Sequence, residues 1–562
     1  MTTDADHSYA MAGRDFLRSP SIRERAKSLM RARRHSRLVR SLRILLPILA
    51  AGVGALYFIS PNIHLSIGDM DASVSGIVIE KGNLRMVNPK LEGANKKQGA
   101  YAVTAKYAEQ AVANPDFIRL TELTAEMNDA RKGWSRLTSP TGMFETKTEK
   151  LELIGDIHVA QSNGMTALMT HANVDMKSQI VVSDQPVQVD FPSGKLDALA
   201  MWLNMDEKEV RFQGDVRVRM DQKKTPAGEK SADAGRSFAA ALKSDAPVDI
   251  AAPKLTIYDA RKLAHFQGGV TTDQAGSRMT SSELKILYTG DSAQETGEQG
   301  ATKVERIDAT GGVQIKTEDG RTANAARLNY NAGKQQLILD ENVIIIQAGN
   351  TLRARRMISD LATNITRFPA LGRVYGHFKP ANPKPQAAPV QSSRTEPSAV
   401  SGGAAQIDLS STRGQPIDIE SDSLTVNDKL HIAEFLGKVN AVQGKMTMRS
   451  TKLIVNYSGE GVLAASEKTG GSSISSIRAE GGVLINTADS QATTSEWALF
   501  NSNDQTVTIG GNVVLTQGEN VIKGDQLVID LTTNRSRFVN RGDPSKRQRV
   551  RGLFVPKQPG AQ

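Results

Sequence analysis

The chain has 562 residues, 39% of them hydrophobic but only 5% aromatic, no cysteine, and a formal charge of +10. The length exceeds what one core supports and implies about three or four domains; the missing cysteines exclude thiolate metal centres, thiol nucleophiles and disulfides while leaving the compartment open. The charge sits at the ends: residues 1–43 hold 11 Lys/Arg against 4 Asp/Glu and residues 541–562 hold 6 against 1, which leaves the long middle at −2 and argues against a nucleic-acid groove.

After the basic segment 1–43, residues 44–60 read ILLPILAAGVGALYFIS, 17 positions without a charge. As a helix this run extends about 25 Å and just crosses a bilayer core. Arg31, Arg33, Arg34, Arg37, Arg40 and Arg43 precede it, and the following loop has no Lys or Arg until Lys81. Positive-inside logic therefore places the N-terminus in the cytoplasm and exports the bulk of the chain after Pro61, held by a single-pass membrane helix. A cleaved signal peptide is the competing reading, but the basic stretch is long for an n-region and Ala51 and Ala55 lie inside the run. A buried core helix is the third reading, against which the flanking arginines argue.

Beyond Pro61 the sequence consists of short alternating runs punctuated by Gly, Asn and Asp, which predicts an all-β, antiparallel fold. Examples are Leu151–Ile154, Val210–Phe212, Leu337–Leu339, Leu453–Tyr457 and Leu527–Ile529. A glycine followed by a β-branched residue recurs at Gly155-Asp-Ile157, Gly214-Asp-Val216, Gly269-Val270, Gly312-Val313, Gly437-Lys-Val439, Gly482-Val483 and Gly511-Asn-Val513, and each reads as a turn launching a strand. Residues 311–364 align without a gap on 481–534 at a shift of 170 positions, and upstream the shift becomes 169, pairing Phe266-Gln-Gly268 with Phe435-Leu-Gly437 and Tyr288 with Tyr457. This is a tandem duplication of a domain-sized unit. The expected organisation is a β-domain over 61–222, a first repeat over 246–370, a Pro/Ala/Ser-rich linker over 371–415, a second repeat over 416–541 and a basic tail over 542–562.

In strands, residues two apart share a face, so aliphatic side chains on one face can line an apolar trough. The candidate lining positions of the second repeat are Ile417, Ile419, Phe435, Val439, Met446, Met448, Val455, Phe500, Val507, Ile509, Val513, Leu515, Leu527 and Ile529. Those of the first are Val248, Ile250, Phe266, Tyr330, Leu337, Leu339, Val343 and Ile345. Each is equally read as ordinary core packing. No catalytic, metal or cofactor site is expected: the chain contains no G-x-x-x-x-G-K-[S/T], H-E-x-x-H or G-x-S-x-G motif, and its eight histidines are scattered. His158, between Ile157 and Val159, reads as a solvent-face histidine.

The residues also carry a family likeness. Gln415-Pro-Ile-Asp-Ile-Glu-Ser421, Phe435-Leu-Gly-Lys-Val439, Val442-Gln-Gly444, Gly511-Asn-Val513 and Lys523-Gly-Asp525 resemble the LptA (OstA-like) proteins of lipopolysaccharide transport. The first repeat resembles them more loosely, with Ala354 and Arg355 in place of Gly524 and Asp525. Arg549-Val-Arg-Gly-Leu-Phe-Val-Pro556 is similar to the end of α-proteobacterial LptA proteins. Residues 38–220 resemble LptC through Asn88-Pro-Lys-Leu-Glu-Gly93, Tyr101-Ala-Val-Thr-Ala105, Gly155-Asp-Ile-His-Val159 and Phe212-Gln-Gly-Asp-Val216. LptC and LptA usually occur as separate chains, so the length departs from the pattern and suggests a fusion.

The resemblance implies tandem open β-jellyrolls that add edge to edge into a bridge between the two membranes. Such a bridge receives lipopolysaccharide from an inner-membrane ABC transporter, which supplies the ATP energy, and passes it to jellyroll partners and the outer-membrane translocon, shielding the lipid A acyl chains. Each exposed methylene costs about 0.8 kcal/mol in water, so unshielded passage is prohibitive. Two other readings stay open: a membrane-anchored β-repeat scaffold or adhesive protein that binds polysaccharide or protein through a polar concave face, and a β-helical polysaccharide-processing enzyme with a recurring carboxylate cluster.

Overall fold

The computed structural model describes residues 63–67, 70–80, 83–95, 99–129, 133–221, 246–289, 303–379, 415–458, 473–487, 491–533, 535–539 and 550–555. The expected basic segment 1–43 and membrane helix 44–60 lie outside them, as does most of the expected linker. Among the described residues the fold is antiparallel β throughout, the single 3₁₀ turn Asp259–Arg261 excepted, and no helix is long and apolar enough to cross a membrane.

The described residues divide into two compact units, one formed by those up to 129 with 141–147, the other by 133–140 and those from 148 onward. In the first unit the long strand Asn114–Asp129 carries two short strands end to end, Gly99–Thr104 and Tyr107–Ala111. Lys90–Asn95 and Asn83–Val87 pair with these in turn. The break between the latter two falls at Asn88-Pro89, where Asn88 takes φ of 49°. Proline removes a ladder donor and restricts the residue before it, so the strand is cut there. Ala108, Ile118 and Leu123 form the buried face.

The second unit is a continuous antiparallel ladder. Its strands are long: Leu263–Gln274, Lys303–Lys316, Gln336–Gln347, Ile432–Gln443, Ser473–Asn486 and Thr506–Gln517 have 12 to 14 residues each. Each shifts register near its middle, for example between Leu436 and Val439 and between Gly510 and Val513. These shifts coincide with the glycine-plus-β-branched elements. Those elements are therefore not turns launching strands but β-bulges inside strands, because the ladder resumes on both sides. The two structures demand the same local chemistry, residues at positive φ: Gly437 and Lys438 lie at 84° and 44°, Gly511 and Asn512 at 79° and 49°.

Each bulge makes a corner with the neighbouring strand. Opposite the bulge glycine stands a residue whose side chain occupies the space a Cβ would need: Pro253 against Gly268 at 3.2 Å, Pro140 against Gly155 at 3.0 Å, Thr451 against Gly481 at 2.7 Å. The preceding residue is small and buried, often serine. Ser183, Ser281, Ser421, Ser450 and Ser495 each donate a hydroxyl hydrogen bond to the carbonyl two residues on, at 2.9 to 3.2 Å. Each hydroxyl, buried by the bend, thereby finds an acceptor within its own strand or the turn that follows it.

The internal duplication is exact in register. Val343 faces Ala354 and Ile345 faces Leu352, as Val513 faces Gly524 and Leu515 faces Ile522, 170 positions later. Between the two copies the ladder does not stop. Val374–Phe378 pairs with Ile417–Ser421, and Ile365–Phe368 pairs with Ser423–Asn427. Val374–Phe378 lies within the stretch read as linker: the Pro-, Ser- and Gln-rich residues after it dilute its alternation.

Candidate functional site

The inner side of the bent strands in the second unit holds the apolar candidates. Following register partners across the corner side nearer the hairpins at 445 and 519 gives one uninterrupted row. It begins Val159, Ala167, Val189, Leu196, Val218, Ile250, Thr272, Met279, Ile315, Ala323, Ile345 and Leu352. It crosses the junction through Gly376 to Ile419 and continues Ala441, Met448, Ile485, Thr493, Leu515 and Ile522. On the other side of the corners a second row runs Phe212, Leu255, Phe266, Leu284, Ala309, Leu328, Leu339 and Met357 in the first copy. Leu424, Phe435, Leu453, Ala479, Ala498, Ile509 and Leu527 carry it on in the second. Thr272 and Thr493 are the polar members of the two rows.

All the sequence-derived candidates fall on this inner side, but in two environments. Ile250, Phe266, Leu337, Leu339, Val343, Ile345, Ile419, Phe435, Val439, Val455, Ile509, Val513, Leu515, Leu527 and Ile529 are buried against their neighbours. Val248, Tyr330, Ile417, Met446, Met448, Phe500 and Val507 are half-buried and lie toward the strand ends. Burial beside Leu337 and Ile307 pushes the Tyr330 hydroxyl up from its ordinary value. The buried set packs the corners; the half-buried set forms apolar rims on either side of them. Sequence periodicity could not separate the two, because both alternate in the same way.

The junction supplies residues that sequence reasoning missed. Phe368, Val374 and Phe378 are buried, and Phe378 meets Phe435 edge to face with ring centroids 6.3 Å apart. The Phe378 ring occupies the place where Gly376 would carry a Cβ, so glycine is required there. Outside the rows, Arg373 donates to Asp422 at 2.7 Å and to the Lys438 carbonyl at 3.0 Å, and His377 lies 2.7 Å from Asp418. The available signal was the alternation Val374-x-Gly376-x-Phe378, which returns as Val550-x-Gly552-x-Phe554.

That second occurrence differs in one respect. Arg551–Leu553 pairs with Asn520–Asp530 as Val374–Phe378 pairs with Asn350–Asp360, but among the described residues no strand pairs its other edge. Val374 and Phe378 are 1% and 9% exposed, whereas Val550 and Phe554 are 44% and 57% exposed. An edge of this kind, with free donors and acceptors and uncovered apolar side chains, is a template for a further strand.

No grouping of three or more His, Asp or Glu side chains among the described residues is arranged to hold a metal ion. His158 is exposed, in agreement with its solvent-face reading. Tyr457 donates to Asp428 at 2.8 Å at the strand ends of the second copy, with the His431 ring tilted against it. Burial raises the Asp428 carboxyl, with the Tyr457 hydrogen bond working the other way.

Comparison with known proteins places these observations. Residues 249–365 and 418–535 each match the sequence model of the LptA/(LptD N-terminal domain) LPS transport protein family, and residues 90–221 match the lipopolysaccharide-assembly, LptC-related family. An uncharacterized protein of Rhizobium meliloti (strain 1021) is 34% identical over 131 residues, 23% of this chain and 68% of its own length. The crystal structure of LptH, the LptA homologous periplasmic component of the lipopolysaccharide transport device from Pseudomonas aeruginosa, is similar over 26% of this chain and 99% of its own. Its identity is 17% and the TM-score 0.22.

Proposed function

Because the chain belongs to the LptC- and LptA-related lipopolysaccharide transport proteins, we propose that it is a bridge component in which one LptC-like and two LptA-like modules are strung on a single polypeptide. The modules are 61–222, 246–370 and 416–541, and the helix 44–60 anchors them in the inner membrane with the N-terminus in the cytoplasm. The chain carries lipopolysaccharide from an ATP-driven inner-membrane exporter toward the outer-membrane translocon and catalyses no reaction.

One observation carries this reading: the apolar row that passes from Val159 to Ile522 through the junction at Gly376 and Ile419 without a charged member. A saccharide-binding scaffold needs polar groups on its inner face, and an enzyme needs converging carboxylates; these rows offer neither. Acyl chains lie along the half-buried rims, against Met279, Met448, Ile485 and Ile522, where flexible methionines let the surface adapt. The packed corners behind keep the strands bent. The edge at Arg551–Leu553 receives the first strand of a partner jellyroll, as Val374–Phe378 receives Ile417–Ser421 within the chain. A carboxylate set into the half-buried rim tests the reading: Met448→Asp, compared with outward Thr447→Asp, leaves newly made lipopolysaccharide at the inner membrane of cells that depend on the variant. Normal delivery in the Met448→Asp cells, with the protein folded and present, refutes it.

A further inference from the structure

The rows contain one hydroxyl that the fold does not use. The Oγ1 of Thr272 is shut off from solvent and has no hydrogen-bond partner in the protein. It stands between Ile250 on one neighbouring strand and Met279 on the other, with buried Val270 two residues before it. Ser183, Ser281, Ser421, Ser450 and Ser495 show how this architecture treats a hydroxyl it needs, since each of these reaches a carbonyl two residues on. Thr272 is not at a corner and reaches none. Nor does the fold require polarity here: the equivalent position of the second copy is Ala441, in the same register between Ile419 and Met448. An unsatisfied buried hydroxyl is costly, and the aliphatic side chains of Ile250 and Val270 offer it no partner.

We propose that Thr272 is a polar station in the first LptA-like repeat, a site that binds a hydroxyl carried within an acyl chain. The inference rests on the lipid-transport reading above and adds a specificity to it. An acyl hydroxyl both donates and accepts, as the threonine does, so the two satisfy each other. Half-buried Met279, directly opposite, is the side chain that rotates to admit the chain. The second repeat, with Ala441, lacks the station and passes hydroxylated and plain chains alike, so the two repeats differ in selectivity.

The test uses the full chain in lipid nanodiscs and two photoreactive probes, β-hydroxymyristoyl glucosamine and myristoyl glucosamine, with adducts mapped by mass spectrometry to the strand Leu263–Gln274. The hydroxylated probe labels that strand about five- to tenfold more than the plain one, the size of one net hydrogen bond. In Thr272→Val the ratio of hydroxylated to plain labelling falls to about one, and Thr272→Ser keeps the preference. Removing an orphaned hydroxyl leaves the unfolding midpoint of Thr272→Val equal or higher. If both probes label the strand equally in the parent, or Thr272→Val keeps the preference, the station is refuted while lipid binding stands. A lowered midpoint with an unchanged ratio also refutes it and makes the hydroxyl structural. If neither probe labels the inner strands at all, the transport reading itself fails and takes the station with it.

Discussion

The junction between the two repeats makes a quantitative claim that a double-mutant cycle can check. Phe378 is buried, packs edge to face on Phe435, and fills the space over Gly376. Phe378→Ala therefore loses about 3–5 kcal/mol, of which the aromatic pair accounts for about 1 kcal/mol. Gly376→Ala places a methyl group into the ring and costs about 1–3 kcal/mol as overpacking. The two penalties share one cause, so in the Phe378→Ala background the Gly376→Ala cost should nearly vanish, a coupling of about 1–3 kcal/mol. Denaturant unfolding of the purified full chain reads all four corners of the cycle. The same substitution at the uncovered edge, Phe554→Ala, should move stability by no more than about 0.5 kcal/mol, since that ring is 57% exposed. Additive costs at Gly376 and Phe378, or equal losses at Phe378 and Phe554, would refute the account of the junction.

Three further expectations follow from the corners and the titrating groups. Lys438 sits in a bulge at φ of 44°, so Lys438→Val costs about 1–2 kcal/mol in thermal unfolding whereas Lys438→Gly stays near the parent; equal losses would contradict the bulge assignment. Burial holds the Asp428 carboxyl above its usual range, so the parent is favoured below the unfolded value near 3.8 and loses stability as pH rises through the higher folded value. Asp428→Asn should match the parent at about pH 4 and equal or exceed it at about pH 7, and a growing deficit at neutral pH would argue that the charge is needed. His171 lies 3.1 Å from Glu152 and 3.0 Å from Asp184, and hydrogen bonds to both carboxylates raise it above 6.5. Its contribution is complete below 6.5 and is lost as pH climbs through the raised value, so the deficit of His171→Gln should be visible near about pH 5.5 and absent near about pH 8.5.

Much of the fold class was legible because alternation is a local property. Leu337, Leu339, Ile509 and Leu527 read as inward residues from their spacing alone, and they are inward. The shift of 170 likewise anticipated register partners that recur at that interval. The glycines were misread because Gly-Asn and Gly-Lys pairs satisfy positive φ equally well in a hairpin turn and in a bulge, and only the ladder beyond them tells which. Phe378 was passed over because its five-residue strand abuts a Pro- and Ser-rich stretch, and its burial depends on a strand that begins 39 residues later at Ile417. The continuity of the rows and the unused hydroxyl of Thr272 are tertiary facts. They follow from which strand pairs with which, and no window of sequence contains that.

The central claim is that acyl chains travel along the inner side of these strands. A photo-crosslinking amino acid placed at Phe500, on the half-buried rim, and separately at Asn501, its outward neighbour, measures this directly in living cells. Irradiation should join lipopolysaccharide to the chain from Phe500 and not from Asn501. Adducts from Asn501 alone, or none from the rim while export proceeds, would contradict the account.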